Sequence, residues 1–260
     1  MKTIFKTIGL SLFMVASSIL TISCEKDMKN SDNIQYATLL DISLDGTSTI
    51  ISKNMETALM ETPELLDNEL NTLLKMKEEE KLAHDVYTFL YEKWGNTVFS
   101  RISAAENNHL HAIIRLLQYY GSADTLAGNA GIFANVEVQT LYNSLVAKGS
   151  ESIEEAYKTG ALIEEMDIKD LRDAIATTSN SNIIMVFENL ERGSRNHLRA
   201  FNRQLTTVGA IYTPIYILQA DYNQIVNSPV EKGNQYRMQG RGKGNGNCNG
   251  NGFGKRNGNQ

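Results

Sequence analysis

Two short strings set a chemical group three residues ahead of a histidine: Glu106-Asn107-Asn108-His109 and Ser194-Arg195-Asn196-His197. On a helix, residues three apart lie on one face, one above the other. The first string therefore stacks a carboxylate over an imidazole, and the second a hydroxyl over an imidazole. Glu80 and Glu164 stand alone in other stretches whose apolar residues recur at helical spacing. Carboxylates and imidazoles together suit divalent iron, manganese or zinc. A single such residue inside a helical stripe is more often a satisfied core group than a ligand; the interest here is that four stretches each carry one.

The stretches read as long helices. Thr62-Pro63-Glu64 predicts a first helix, with a hydroxyl N-cap, proline at N1 and acid in the first turn, running to about Lys93 before Gly95. A second covers about 97–120 and ends at Gly121. A long connection, 122–150, holds a short helix near 137–147. Ser152 with Glu155 makes a capping-box signature for a third long helix to about 176. The fourth spans about 181–208, and a short piece lies near 214–226. A further short helix is expected around 54–60, and nothing reads as a convincing sheet.

At about 100° per residue, each helix has one apolar stripe, and the candidates can be placed on it. Glu80 falls within about 40° of the middle of the stripe Leu73, Met76, Ala83, Tyr87, Leu90 and Trp94. Glu79 sits on its flank. His109 lies near the centre of the second stripe, with Glu106 one turn back; His111 points outward. Glu164 is almost central on the third stripe, Asp167 lies to one side and Glu165 well off it. His197 is near the centre of the fourth, and Ser194 occupies the preceding turn. Buried, unpaired carboxylates cost several kcal/mol and must be neutralised by protons, partners or a cation. A cation bound by several of them would do so at once.

The strings KMKEEEKLAHDVYTFLYEKWGNTVFSRIS, AAENNHLHAI, GALIEEMDIKDL and ERGSRNHLRAF resemble a bacterial and archaeal ferritin-like family of unknown function, in the rubrerythrin/ferritin-like superfamily, over about 65–215. The resemblance implies an all-α, ferritin-like four-helix bundle with a long crossover between helices two and three. Ferritin-like di-iron proteins carry one Glu on each of two helices and Glu-x-x-His on each of the other two. That pattern implies Glu80, Glu106, His109, Glu164 and His197 as metal ligands; the chain departs from it at Ser194, where Asp167, and less directly Glu191, would supply the missing carboxylate. Tyr87, Tyr120 and Ser194 are candidates for the groups that hold the ligands in place, although tyrosines on such a stripe more often simply pack. His84, on the flank, reads as half-exposed. Arg192, Arg195 and Arg199 are expected to pair with surface acids.

The ends have other roles. Met1 to Cys24 has Lys2 and Lys6, then an apolar run from Ile8 to Leu20, then Thr21-Ile22-Ser23-Cys24. It reads as an exported lipoprotein signal, with Cys24 as the lipidated residue and Glu25-Lys26-Asp27 suggesting the outer membrane. Residues 25–60 are expected to be a tether, 61–228 the helical domain and 229–260 a disordered Gly/Asn-rich basic tail. The chain has 260 residues, 42% hydrophobic, with net charge −5 and only two cysteines, which excludes a disulfide scaffold or a zinc ribbon. The helical body is more acidic than the whole, because basic residues collect in the tail. It favours cations over nucleic acid, and no nucleic-acid partner is expected.

The expected function is a metal-binding, ferritin-like envelope lipoprotein with one or two ions of iron, manganese or zinc. With redox-active metal it would oxidise ferrous ion or reduce peroxide; whether it is an enzyme stays open. The alternative is a non-catalytic bundle acting as a structural or partner-binding module. Partners are a membrane, through Cys24, and a second copy of the chain as a homodimer.

Overall fold

A computed structural model describes residues 39–43, 47–50, 54–55, 58–59, 64–122 and 128–232. Cys24, the signal segment and the Gly/Asn-rich tail lie outside them, as does the Thr62-Pro63 start signal. Among the described residues the chain is mostly helical: α1 (Asp67–Trp94), α2 (Thr97–Tyr119), α3 (Val136–Gly149), α4 (Ile153–Thr177), α5 (Ser181–Thr207) and α6 (Gln219–Asn227). α1 packs chiefly on α2 and α4 on α5; α1 also meets α4, and α2 meets α5. α3 lies within the long connection between α2 and α4 and rests on α1 and α4. No helix of the described residues is long and apolar enough to cross a membrane.

Local chemistry sets most boundaries. The Ser152 hydroxyl accepts from the Glu155 amide, as the sequence predicts. Asn96, Asn135 and Asn180 start α2, α3 and α5 in the same way, each side chain accepting from amides of the first turn. Gly95, at φ +65°, turns α1 into α2 within two residues, and its amide closes on the Tyr91 carbonyl at 2.8 Å. α1 begins later than expected. Glu64 to Leu66 are not helical, and the Glu69 carboxylate accepts from the Leu66 amide at 3.1 Å and from the Thr178 hydroxyl at 2.6 Å. Those bonds satisfy the orphan amide at position 66 and fix the start there.

The stretch expected to be a tether is partly built into the domain. Leu40–Ile42 (β1) and Ser48–Ile50 (β2) form an antiparallel hairpin in the register Leu40↔Ile50 and Ile42↔Ser48. Its inward side chains, with Leu39 and Met55, are buried against Leu73, Met76, Ile113 and Val186. Burying apolar side chains offsets the ordering of so short a hairpin, which alone would not persist in water. Polar bonds hold it to α5: the Leu39 amide donates to Asn189 Oδ1 at 3.0 Å, and Arg192 Nη2 to the Leu40 carbonyl at 2.7 Å. Of the helix expected at 54–60, Asn54, Met55 and Ala58 are helical.

The buried apolar residues form two separate clusters. One contains Leu82, Val86, Leu90, Phe99, Ile102, Ala161 and Phe201; the other Leu73, Met76, Ile113, Leu116, Leu171 and Leu190. On three of the long helices the residues of the two clusters lie on opposite sides of one position: Glu80 on α1, Glu106–His109 on α2 and His197 on α5; on α4 the change comes between Ile168 and Leu171, one turn beyond Glu164. A polar layer therefore divides the core.

Candidate functional site

All five of these side chains are buried, none more than 1% exposed. Glu106 sits between the two imidazoles. Its Oε2 is 2.7 Å from His109 Nδ1, and its Oε1 is 2.7 Å from His197 Nδ1. Each imidazole nitrogen has a second carboxylate beside it: Glu80 Oε2 lies 3.3 Å from His109, and Glu164 Oε2 lies 3.3 Å from His197. The rings stack with centroids 5.3 Å apart. The layer thus has two similar halves, each with one imidazole, one flanking carboxylate and one oxygen of the shared Glu106. Ligating atoms of Glu106, His109 and His197 all lie within 4.8 Å of one another.

None of these close approaches is aligned as a hydrogen bond. Both ring nitrogens of both histidines, both oxygens of Glu80 and of Glu106, and Oε2 of Glu164 are buried with no hydrogen-bond partner in the protein. Leaving so many polar atoms unmatched would cost far more than a small domain can spare. Lone pairs converging on shared space, rather than on one another's protons, are what a cation requires.

Electrostatics agrees with the geometry. Burial, opposed by His109, raises Glu80 to about 7; burial and the Glu106 charge raise Glu164 to about 7. For Glu106, burial alone would raise the carboxyl, but His197 and His109 outweigh it and hold it well below the usual range. Burial would lower both imidazoles, yet Glu106 and Glu80 raise His109 to about 9, and Glu106 with Glu164 raises His197 well above its ordinary value. Without metal, these charges favour protonated imidazoles on either side of an ionised Glu106.

Several features support the ligands. The Tyr87 hydroxyl donates to Glu164 Oε1 at 2.6 Å and so aims the other oxygen at His197. Gly193, one turn before His197, makes room for His109: a Cβ there would lie 2.5 Å from Nε2. Gly160 is needed by Phe201 in the same way, with a Cβ only 2.4 Å from its ring. Sequence reasoning passed over Gly193, though a glycine one turn from a core histidine on a long helix was a readable sign of close approach.

Other expected residues are placed differently. Asp167 is 4% exposed, with Oδ2 unpartnered; it lines a cavity and lies at the edge of the polar layer, where burial and the Glu80 and Glu164 charges hold its carboxyl well above the usual range. The Ser194 hydroxyl donates back to the Leu190 carbonyl at 3.3 Å and serves its own helix rather than a ligand. Tyr120 is eleven residues beyond His109, about 16 Å along the axis. Its hydroxyl donates to Asn180 Oδ1 at 3.0 Å, so it braces the start of α5 instead of the polar layer. Glu191 is taken by Arg172 and Arg195. His84 donates from Nδ1 to the Ser103 carbonyl at 2.8 Å. Glu165, expected to lie off the stripe, is fully buried and accepts from the Tyr212 hydroxyl and the Ile217 amide at 2.5 and 2.7 Å.

The arginines of α5 are more buried than expected. Arg192 is 1% exposed and donates to the Glu231 carbonyl, and Arg195 and Arg199 both hold the Glu231 carboxylate. Ordered structure therefore extends past Pro229, where the tail was expected to begin, because these charges need a counterion.

Comparison with known proteins gives a consistent result. Residues 69–229 match the family described as "Uncharacterized protein domain (DUF2202)". The chain is 44% identical over 168 residues to the uncharacterized protein MJ0754 of Methanocaldococcus jannaschii, covering 64% of this chain and 91% of that protein. It also resembles the crystal structure titled as hypothetical protein MJ0754 from Methanococcus jannaschii, with a TM-score of 0.64 and 42% identity, over 66% of this chain and 99% of that one.

Proposed function

The chain belongs to the DUF2202 family of uncharacterized domains, and on that footing we propose that its buried polar layer is a ferritin-like metal site. The observation that carries this reading is the set of unpartnered, buried nitrogens and oxygens converging from four helices. Glu106 would be shared by two ions, with His109 and Glu80 completing one half and His197 and Glu164 the other. Iron, manganese and zinc all suit this mixture of imidazole and carboxylate. A redox-active pair would supply electrons for reduction of peroxide or oxygen, or accept them from ferrous ion. The chain's own part is to hold the ions apart from water, fix the carboxylates through Tyr87, and give up imidazole protons on loading.

The lipobox-like Thr21-Ile22-Ser23-Cys24 supports tethering of this domain to an envelope membrane, and Glu25-Lys26-Asp27 supports the outer one. One observation favours a second, non-catalytic reading: protonated His109 and His197 can neutralise Glu106 with no metal present. Elemental analysis and Co(II) titration of the purified protein separate the two. The metal reading expects one to two tightly held ions per chain, lost in Glu106→Gln; no ion in the wild-type protein, after loading under reducing conditions, would end it.

A further inference from the structure

Outside the polar layer, a cavity of about 660 Å³ opens between α1, α3 and α4. Its walls are partly apolar, from Leu82, Val138, Leu141 and Ile163, and it also presents Glu79 and Asp167. Asp167 is 96% buried, and its Oδ2 has no hydrogen-bond partner; Glu79 Oε2 is buried and unpartnered as well. None of the five residues of the inner layer lines this cavity. On α1, Glu79 faces the cavity and its neighbour Glu80 the inner layer. On α4, Glu164 faces the inner layer, and Asp167, one turn later, lies between that layer and the cavity it lines, with Glu80 and Glu164 among its nearest charges.

The mouth carries its own counterion. Lys75 Nζ lies 3.0 Å from Glu79 Oε1 and 2.8 Å from Asp170 Oδ2, on a side chain that is 58% exposed. It occupies one oxygen of Glu79 and leaves the other without a partner. An exposed ammonium held by two carboxylates is readily displaced, since such surface pairs contribute about 1 kcal/mol or less.

We propose that the carboxylates of Glu79 and Asp167 form an outer station for a hydrated divalent cation, from which ions pass to the inner layer. Hard oxygen donors with water filling the remaining positions suit a cation still carrying part of its hydration shell. The inner layer, with its imidazoles, suits the same ion after that shell is shed. The delivery role rests on the metal reading of the inner layer, whereas the outer station itself can be tested without it.

The test uses the full chain, with Co(II) for loading rates and Mn(II) for weak binding. Glu79→Gln and Asp167→Asn should each keep the wild-type number of tightly held Co(II) ions and fill at least tenfold more slowly in stopped-flow absorbance. Glu106→Gln should lose the tight ions yet keep a weak Mn(II) site, seen by electron paramagnetic resonance, that disappears when Glu79→Gln is added. Loading at the wild-type rate in both single variants would overturn the proposal. So would loss of a tight ion in Asp167→Asn, which would assign that carboxylate to the inner layer. If the wild-type protein holds no tight ion, the inner reading fails by itself. The outer station then stands or falls on whether the weak Mn(II) site depends on Glu79. Circular dichroism and Tm confirm that each variant is folded.

Discussion

Gly193 on α5 lies directly against the imidazole of His109 on α2, so close that a Cβ would stand 2.5 Å from Nε2 and 2.6 Å from Cε1. The ring is held between this bare backbone and the carboxylate of Glu106. Gly193→Ala must push the ring or separate two helices. Overpacking of this kind costs about 1–3 kcal/mol, so Tm should fall, and Co(II) stoichiometry should fall with it. Unchanged metal binding in a protein of wild-type stability would show that the ring has room to move.

Tyr87→Phe removes the hydroxyl that donates to Glu164 and leaves the packing of the ring against Phe201 in place. Loss of a group that orients a ligand typically weakens metal affinity by about 10- to 100-fold. Zn(II) affinity measured by competition with a chelator should drop in that range, with the number of sites unchanged.

The pH dependence of the metal-free protein follows from the direction of each shift. Glu80 and Glu164 are raised from 4.5 to about 7, so the stability their neutral forms contribute is complete below 4.5 and lost as pH rises through 7. His109 is raised from 6.5 to about 9, so its contribution is complete below 6.5 and lost as pH rises through 9. Glu106, lowered well below 4.5, acts oppositely and loses its contribution only in acid. Tm of the metal-free protein should therefore fall between about pH 4.5 and 9, while the gain in Tm on adding Zn(II) should grow over the same interval. A flat metal-free profile would contradict the arrangement of charges described here.

Glu165 ties the segment after α5 to α4 through Tyr212 and the amides of Tyr216 and Ile217. Glu165→Ala leaves those buried or half-buried donors without their acceptor, at a cost of about 1–3 kcal/mol. Proteolysis should then cut at 208–218 sooner than in the wild-type chain, with little change in bound metal, because Glu165 faces away from the polar layer.

The parts of this picture that depend on local chemistry were readable from the residues alone. Ser152 and Gly95 end or begin helices through bonds within their own turn, and the four stripes located Glu80, Glu106, His109, Glu164 and His197 because helical period decides which side is dry. Features made by distant segments were not readable. A helical wheel places Glu165 off the stripe and cannot know that residues 212–217 return to cover it. Tyr120 shares a stripe with His109, yet the rise of the helix carries it beyond reach. Strands of three residues with one buried-exposed-buried alternation are too short to stand out from a tether. Glu79 looks like one member of a solvated charge run until the fold buries it beside Lys75 and Asp170 of α4.

Arg192 also fastens together segments that are far apart along the chain. One guanidinium binds the carbonyl of Leu40, ahead of every long helix, and that of Glu231, after the last one. The stretch matched to the family, 69–229, stops short of both. A fragment trimmed to those limits would strip the apolar lid from Leu73 and Met76, take the Glu231 carboxylate from Arg199 and leave Arg195 with Glu191 alone. For this chain, the smallest piece that behaves like the whole must include both Leu39 and Glu231.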